Sequence, residues 1–291
     1  MIEPLLSLLL FGAVPLHGMA PADAGDKPAV AIAAPVASPL SPEPTTIAFA
    51  RPLSASGIVV MDLDSAQLLY SSGPKEVHAM ASLTKLMTAL LIVEGHDMDE
   101  WVTIPPEVNT ATGSMLRLLP GQQLKVGDLL AGLLVPSAND AAISLAVYHS
   151  GSVKAFVEDM NQRAKELGLR DTHFANPTGL DDDDHVSTAR DLGWLTLYVL
   201  RQPEIFQRME LSESRITTRS GSIYTLTHTH QLLGRDGSPV IAGKTGTTDL
   251  AKECLISIVQ EGGRRTLVVL LHSDDRYGDM QTVLDALPKT R

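Results

Sequence analysis

Two apolar, β-branched runs, 253–260 and 265–272, flank the dipeptide Gly262-Gly263. Glycine reaches positive φ without a Cβ clash, so the pair can close a tight antiparallel turn. Further strand-like runs precede them at 223–229 and 240–244. Near the other end, Gly57-Ile58-Val59-Val60-Met61-Asp62 leads into turn chemistry at Asp62-Leu63-Asp64-Ser65, and 67–70 can return as a hairpin. The middle is helical. Leu83, Leu86, Met87, Leu90 and Leu91 recur at helical spacing, in a helix reaching about Glu94. Residues 126–148 read as two helices broken at Pro136-Ser137, and 153–167 as a helix stopped by Gly168. Residues 171–186 are polar and loop-like; 189–200 is helical, with Pro203 interrupting it or starting a short turn, and 279–287 closes the chain. Strands at both ends of a helical middle predict an α+β domain: one antiparallel sheet covered by helices, not a doubly wound parallel sheet.

The first 54 residues offer little to that core. An apolar stretch at 5–14 is too short to span a bilayer and suits a signal peptide, with Ala22-Asp23-Ala24 as the small-x-small cleavage form, although Glu3 stands where a basic residue is usual. Residues 1–24 are therefore expected to be an export signal. Residues 25–54, rich in Ala, Pro and Ser, are expected to be a linker, because their prolines deny helix and sheet continuity. The folded domain is expected over 55–291.

A net charge of -11 argues against a nucleic-acid partner, which needs a basic face. Cys254 is the only cysteine, which rules out an intramolecular disulfide and a four-thiolate metal site. It reads as a small buried hydrophobe.

Three polar motifs stand out. Ser82-Leu83-Thr84-Lys85 opens the first apolar stripe, so Lys85 falls one turn after Ser82 on the same face. A serine hydroxyl is a poor nucleophile without an adjacent base, and a lysine can be that base if burial and a second cation hold it neutral. Ser72-Gly73-Pro74-Lys75 has the same spacing, but Gly-Pro forbids an ordinary helical turn there. Ser137-Ala138-Asn139 falls in the break after Pro136, where a hydroxyl and an amide can face one cleft; a plain helix cap is the simpler alternative. Lys244-Thr245-Gly246-Thr247 falls at the end of an expected strand, with a cation, a hydroxyl and a glycine that lets another backbone approach.

The order S-x-x-K, S-x-N, K-T-G resembles that of the active-site serine penicillin-recognising enzymes. More narrowly, the chain resembles the low-molecular-mass D-alanyl-D-alanine carboxypeptidases and their DD-endopeptidase relatives over about 55–285. Asn176-Pro177-Thr178-Gly179-Leu180 and Ser187-Thr188-Ala189-Arg190-Asp191 add to the likeness. The resemblance implies a β-lactamase/transpeptidase-like fold with a helical subdomain. It implies that Ser82 attacks a D-alanine carbonyl while Lys85 takes its proton, and that Ser137 relays a proton to the leaving amine. It further implies that Asn139 bonds the substrate peptide and that Lys244 and Thr245 bind its carboxylate, Lys244 keeping Lys85 neutral. Gly246 lets the substrate approach, and the N–H groups of Ser82 and Thr247 form an oxyanion hole, each such donor worth roughly 3–4 kcal/mol.

On this reading the substrates are peptidoglycan stem peptides, the inhibitors are β-lactams, and no cofactor, metal or nucleic acid is expected. Carboxypeptidase is preferred to endopeptidase. Ala138 stands where many carboxypeptidases have glycine and Thr247 where the family varies, and with the sequence ending at Arg291 no membrane anchor is expected. Two other functions compete. A β-lactamase of class A would need a glutamate in a loop between the second and third motifs, and 176–202 contains none. A non-catalytic peptidoglycan- or penicillin-binding module would not need every polar member intact. His228-Thr229-His230 and the acidic run 181–184 with His185 read as structural or solvated, not as metal sites.

Overall fold

The computed structural model describes residues 47–288. The expected signal segment and the linker up to residue 46 lie outside them. Ile47 is already buried, its N–H donating to Leu69 O, and the Phe49 ring packs edge-on against Tyr70 at 4.5 Å. Packing thus begins ahead of the expected boundary at 55, because Ile47, Phe49 and Leu53 supply apolar anchors within an otherwise Ala/Pro-rich stretch.

The elements expected from sequence appear in their order, with short strands between them that the sequence did not show. β1 (Gly57–Asp62), β2 (Leu68–Ser72) and β3 (His78–Ala79) lead through a 3-10 turn, Ala81–Thr84, into α1 (Lys85–Gly95). Then come β4 (Trp101–Thr103), β5 (Gln123–Lys125), α2 (Val126–Leu134), α3 (Asn139–Ser150) and α4 (Val153–Glu166). β6 (Val186–Ser187), α5 (Ala189–Val199), α6 (Pro203–Met209), β7 (Glu213–Thr217) and β8 (Ile223–Thr227) follow. β9 (Val240–Thr248), β10 (Lys252–Glu261), β11 (Arg264–Ser273) and α7 (Arg276–Ala286) complete the described chain.

The main sheet is antiparallel at every described pairing, in the order β2-β1-β11-β10-β9. Every residue of β1 is buried. An antiparallel strand usually alternates, but here both faces are covered. Val59 and Met61 join the large core with α1, α2, α3 and α5, whereas Ile58 and Val60 join a second core under α7. The period of two thus assigns alternate residues to two apolar layers rather than to core and solvent.

Three small pairings complete the framework: β3 with β6, β4 with β5, and β7 with β8. Among the described residues no helix is long and apolar enough to cross a membrane.

Candidate active site

Ser82 lies inside the 3-10 turn, not at the start of the α-helix, and Lys85 is the first residue of α1. The turn is tight because Ala81 holds φ 47°, and Thr84 Oγ1 donates back to Ala81 O at 2.7 Å. Ser82 is half-buried, and its Oγ is hydrogen-bonded to Lys85 Nζ at 2.8 Å. Lys85 is fully buried and donates to Asn139 Oδ1 at 2.7 Å and Thr178 O at 2.5 Å.

Ser137 occupies the left-handed region at φ 64°, in the corner between α2 and α3. It does not cap α3: the N-cap is Ala138, without a side-chain hydrogen bond. Ser137 Oγ instead accepts from Lys244 Nζ at 2.8 Å. Asn139 was expected to face substrate. Its Oδ1 is taken by Lys85, and its Nδ2 donates to Thr112 O at 2.6 Å, so in this state the amide is held by the protein.

The Lys244-Thr245-Gly246-Thr247 motif was expected at a strand end but lies within β9, which runs on to Thr248. Pairing with β10 continues through it, Thr245 opposite Leu255, Gly246 opposite Cys254 and Thr247 opposite Glu253. A Cβ on Gly246 would sit 2.9 Å from Ser82 N, so only glycine lets β9 pass so near that amide. Lys244 is fully buried, and Thr245 Oγ1 contacts Thr229 Oγ1 at 2.5 Å. Thr247 is exposed, its Oγ1 accepting from Arg276 Nη1 at 2.7 Å.

The eight residues picked from sequence thus fall on the turn and the first residue of α1, on the α2–α3 corner and the first residue of α3, and on β9, and hydrogen bonds join Ser82, Lys85 and Asn139 in one group and Ser137 and Lys244 in another. The electrostatics link the two groups. Burial, and then the charge on Lys244, push Lys85 well below the ordinary lysine value. Burial, and then Arg276, lower Lys244 to about 7. An amine whose proton affinity is lowered, beside a hydroxyl, can act as its general base.

The sequence reading missed four contributors. Thr178 offers its carbonyl to Lys85. Thr229 and Arg276 brace β9. His185, taken with its acidic neighbours as solvated, is buried: its Nδ1 accepts from Ala175 N and its Nε2 meets Thr84 Oγ1 at 2.6 Å, while 181–184 is exposed. The His-x-His pair does not converge on a metal position. Each Nδ1 accepts a backbone N–H, from His230 and Leu232 respectively, and His230 Nε2 meets Ser257 Oγ. Cys254 is buried as expected, and burial pushes its thiol up to about 11.

Fold and pocket together define the penicillin-binding, β-lactamase-like class of serine proteins. The solved DD-transpeptidase of Streptomyces K15 superposes with a TM-score of 0.74 at 28% identity, covering 81% of this chain and 97% of that one. The family model for peptidase S11, D-alanyl-D-alanine carboxypeptidase, matches residues 44–275, and the chain belongs to that family. It is 34% identical to D-alanyl-D-alanine carboxypeptidase DacF of Bacillus subtilis, over 79% of this chain and 61% of that one. It is 33% identical to a D-alanyl-D-alanine endopeptidase of Escherichia coli, over 78% of this chain and 74% of that one. The chain therefore spans about three fifths of the DacF length.

Proposed function

We propose that this protein is a serine D-alanyl-D-alanine carboxypeptidase that trims peptidoglycan stem peptides through an acyl-enzyme on Ser82. The observation that carries the reading is the bond from fully buried Lys85 to Ser82 Oγ, with a second buried lysine lowering its proton affinity. Neutral Lys85 takes the Ser82 proton as Oγ attacks the carbonyl of the penultimate D-alanine. The N–H groups of Ser82 and Thr247 receive the developing oxyanion. Ser137 Oγ, held by the Lys244 Nζ that donates to it, gives its proton to the leaving amine and is reprotonated by the proton Lys85 took from Ser82, which leaves Lys85 neutral again for the attack of water. Asn139, its Nδ2 exchanging Thr112 O for the substrate, and Thr245 hold the peptide and its carboxylate, and Gly246 leaves room for the peptide backbone. Water then hydrolyses the ester, and β-lactams acylate Ser82 by the same attack.

A second reading, cleavage of peptide cross-links, is favoured by the likeness to the Escherichia coli endopeptidase over 74% of its length. Both reactions break the bond after a D-alanine carbonyl. Site and substrate imply work outside the cytoplasm, which agrees with the export signal expected at 1–24.

The test is digestion of purified muropeptides with the released amine identified by mass, alongside labelling by a fluorescent penicillin. Free D-alanine and a label lost in Ser82→Ala are expected. Split cross-links without D-alanine would replace the first reading by the second, and a label that persists in Ser82→Ala would end both.

A further inference from the structure

Asn176 gathers a whole loop around one atom. Its Oδ1 accepts from Thr178 N at 3.1 Å, Thr178 Oγ1 at 2.8 Å, Gly179 N at 2.7 Å and Leu180 N at 3.2 Å. Its Nδ2 donates to Leu180 O at 2.9 Å. The loop is pressed against the Ser82 turn: Gly179 has φ 89°, and a Cβ there would sit 2.0 Å from Ala81 O. Thr88 Oγ1 ties Pro177 O to α1 at 2.8 Å. What this loop delivers to the site is one group, the Thr178 carbonyl.

The carbonyl matters because of how a neutral amine bonds. It has two N–H donors and one lone pair. Lys85 Nζ has three neighbours: Thr178 O at 2.5 Å, Asn139 Oδ1 at 2.7 Å and Ser82 Oγ at 2.8 Å. The first is a carbonyl and can only accept; Asn139 is likewise fixed as an acceptor, since its Nδ2 is turned to Thr112 O. Both N–H groups are thereby used, and the lone pair is left for the Ser82 hydroxyl. Ser82 Oγ is 3.4 Å from the same Thr178 O. A small shift of the carbonyl would let it capture the serine proton and turn Lys85 from acceptor into donor.

We propose that Asn176 is a positioning residue for the base: it holds the Thr178 carbonyl where it takes one Lys85 N–H and aims the amine lone pair at Ser82. This rests on the reading of Ser82 and Lys85 as nucleophile and base. A purely structural role would give Asn176 the same hydrogen bonds but no influence on the chemistry.

The experiment is the second-order rate of acylation of the full chain by a fluorescent penicillin, measured against pH, with thermal melts to count folded protein. In Asn176→Ala the high-pH plateau should fall tenfold or more per folded molecule. Its acid limb should move to lower pH, because an acceptor that favours the ammonium has been displaced. In Asn176→Asp the carboxylate still accepts the loop N–H groups, so the plateau should stay within about threefold of wild type. Its acid limb should move to higher pH, because the added negative charge favours protonated Lys85. Plateau and midpoint both unchanged in folded Asn176→Ala would overturn the proposal. If that variant does not fold, an unmoved midpoint in Asn176→Asp does so alone. A wild-type protein that takes no label overturns instead the assignment of Ser82 and Lys85.

Discussion

Lys244 Nζ donates to Ser137 Oγ at 2.8 Å, across 107 positions of sequence. That bond joins β9 to the α2–α3 corner and puts the second cation in the same dry region as Lys85. Two ammonium groups cannot both keep full charge there without water, and the charge on Lys244 lowers the cost of Lys85 losing its proton.

The sign of that coupling gives the first prediction. Removing Lys244 as Lys244→Met takes away a positive neighbour that holds Lys85 down. Lys85 should then bind its proton more tightly, and the acid limb of penicillin acylation should move to higher pH. At neutral pH the rate should drop about tenfold or more, since a one-unit rise costs a factor of ten where the base is protonated. An acid limb that stays in place would show that Lys244 does not act on Lys85.

The motifs were legible because each is a short string with a local signal: an apolar stripe after Ser82, a proline before Ser137, a β-branched run before Lys244. The helices were legible from their punctuation, Pro136 and Gly168 above all. The contacts that aim the site were not. Thr229 meets Thr245, and Thr178 meets Lys85, through pairings that leave no trace in spacing. β7 was missed because only Ile216 along it is buried, so neither alternation nor a run appears. β9 was read as ending at Lys244 because glycine and threonine look like turn chemistry, although the β10 register carries the strand to Thr248.

Gly179 and Gly121 separate backbone strain from lack of room. Their φ values are close, 89° and 85°, but a Cβ on Gly179 would sit 2.0 Å from Ala81 O while one on Gly121 would meet nothing within 4 Å. Gly121→Ala should cost about 1 kcal/mol, the price of a left-handed alanine. Gly179→Ala should cost about 3 kcal/mol or more and also slow acylation, because the displaced backbone is that of the Ser82 turn. Urea unfolding and penicillin labelling of both variants check this; equal losses of stability would refute the steric argument.

Asp279 fastens the chain just before β1. Its Oδ1 accepts from Ser54 N at 2.8 Å, and its Oδ2 from Ser54 Oγ, Ala55 N and Ser273 Oγ at 2.7–2.9 Å. The carboxylate is buried, so Asp279→Ala leaves buried donors unanswered and should cost about 3 kcal/mol. Hydrogen exchange should quicken first at Ser54 and Ala55, before the core of β10 and β11. Unchanged exchange there would mean that the segment is held by Ile47 and Phe49 instead.

Two buried histidines predict acid lability. Burial, and for His230 also Arg276, holds His185 and His230 down to about 4, and both are 2% exposed. Each is kept neutral by geometry as well as by dryness. Ala175 N donates to His185 Nδ1 and Leu232 N donates to His230 Nδ1, so protonation would set two donors against each other. Unfolded histidine titrates near 6.5, so the unfolded chain takes up protons first as pH falls. The stability these groups contribute is complete above pH 6.5 and is lost progressively from there to about pH 4, on the order of 2–3 kcal/mol for each. Thermal midpoints should therefore fall between pH 7 and pH 4.5. The fall should be shallower in His230→Gln, which removes one of the titrating groups while a side-chain amide can still reach Ser257. A slope identical to wild type would mean that other groups set the acid limit of the fold.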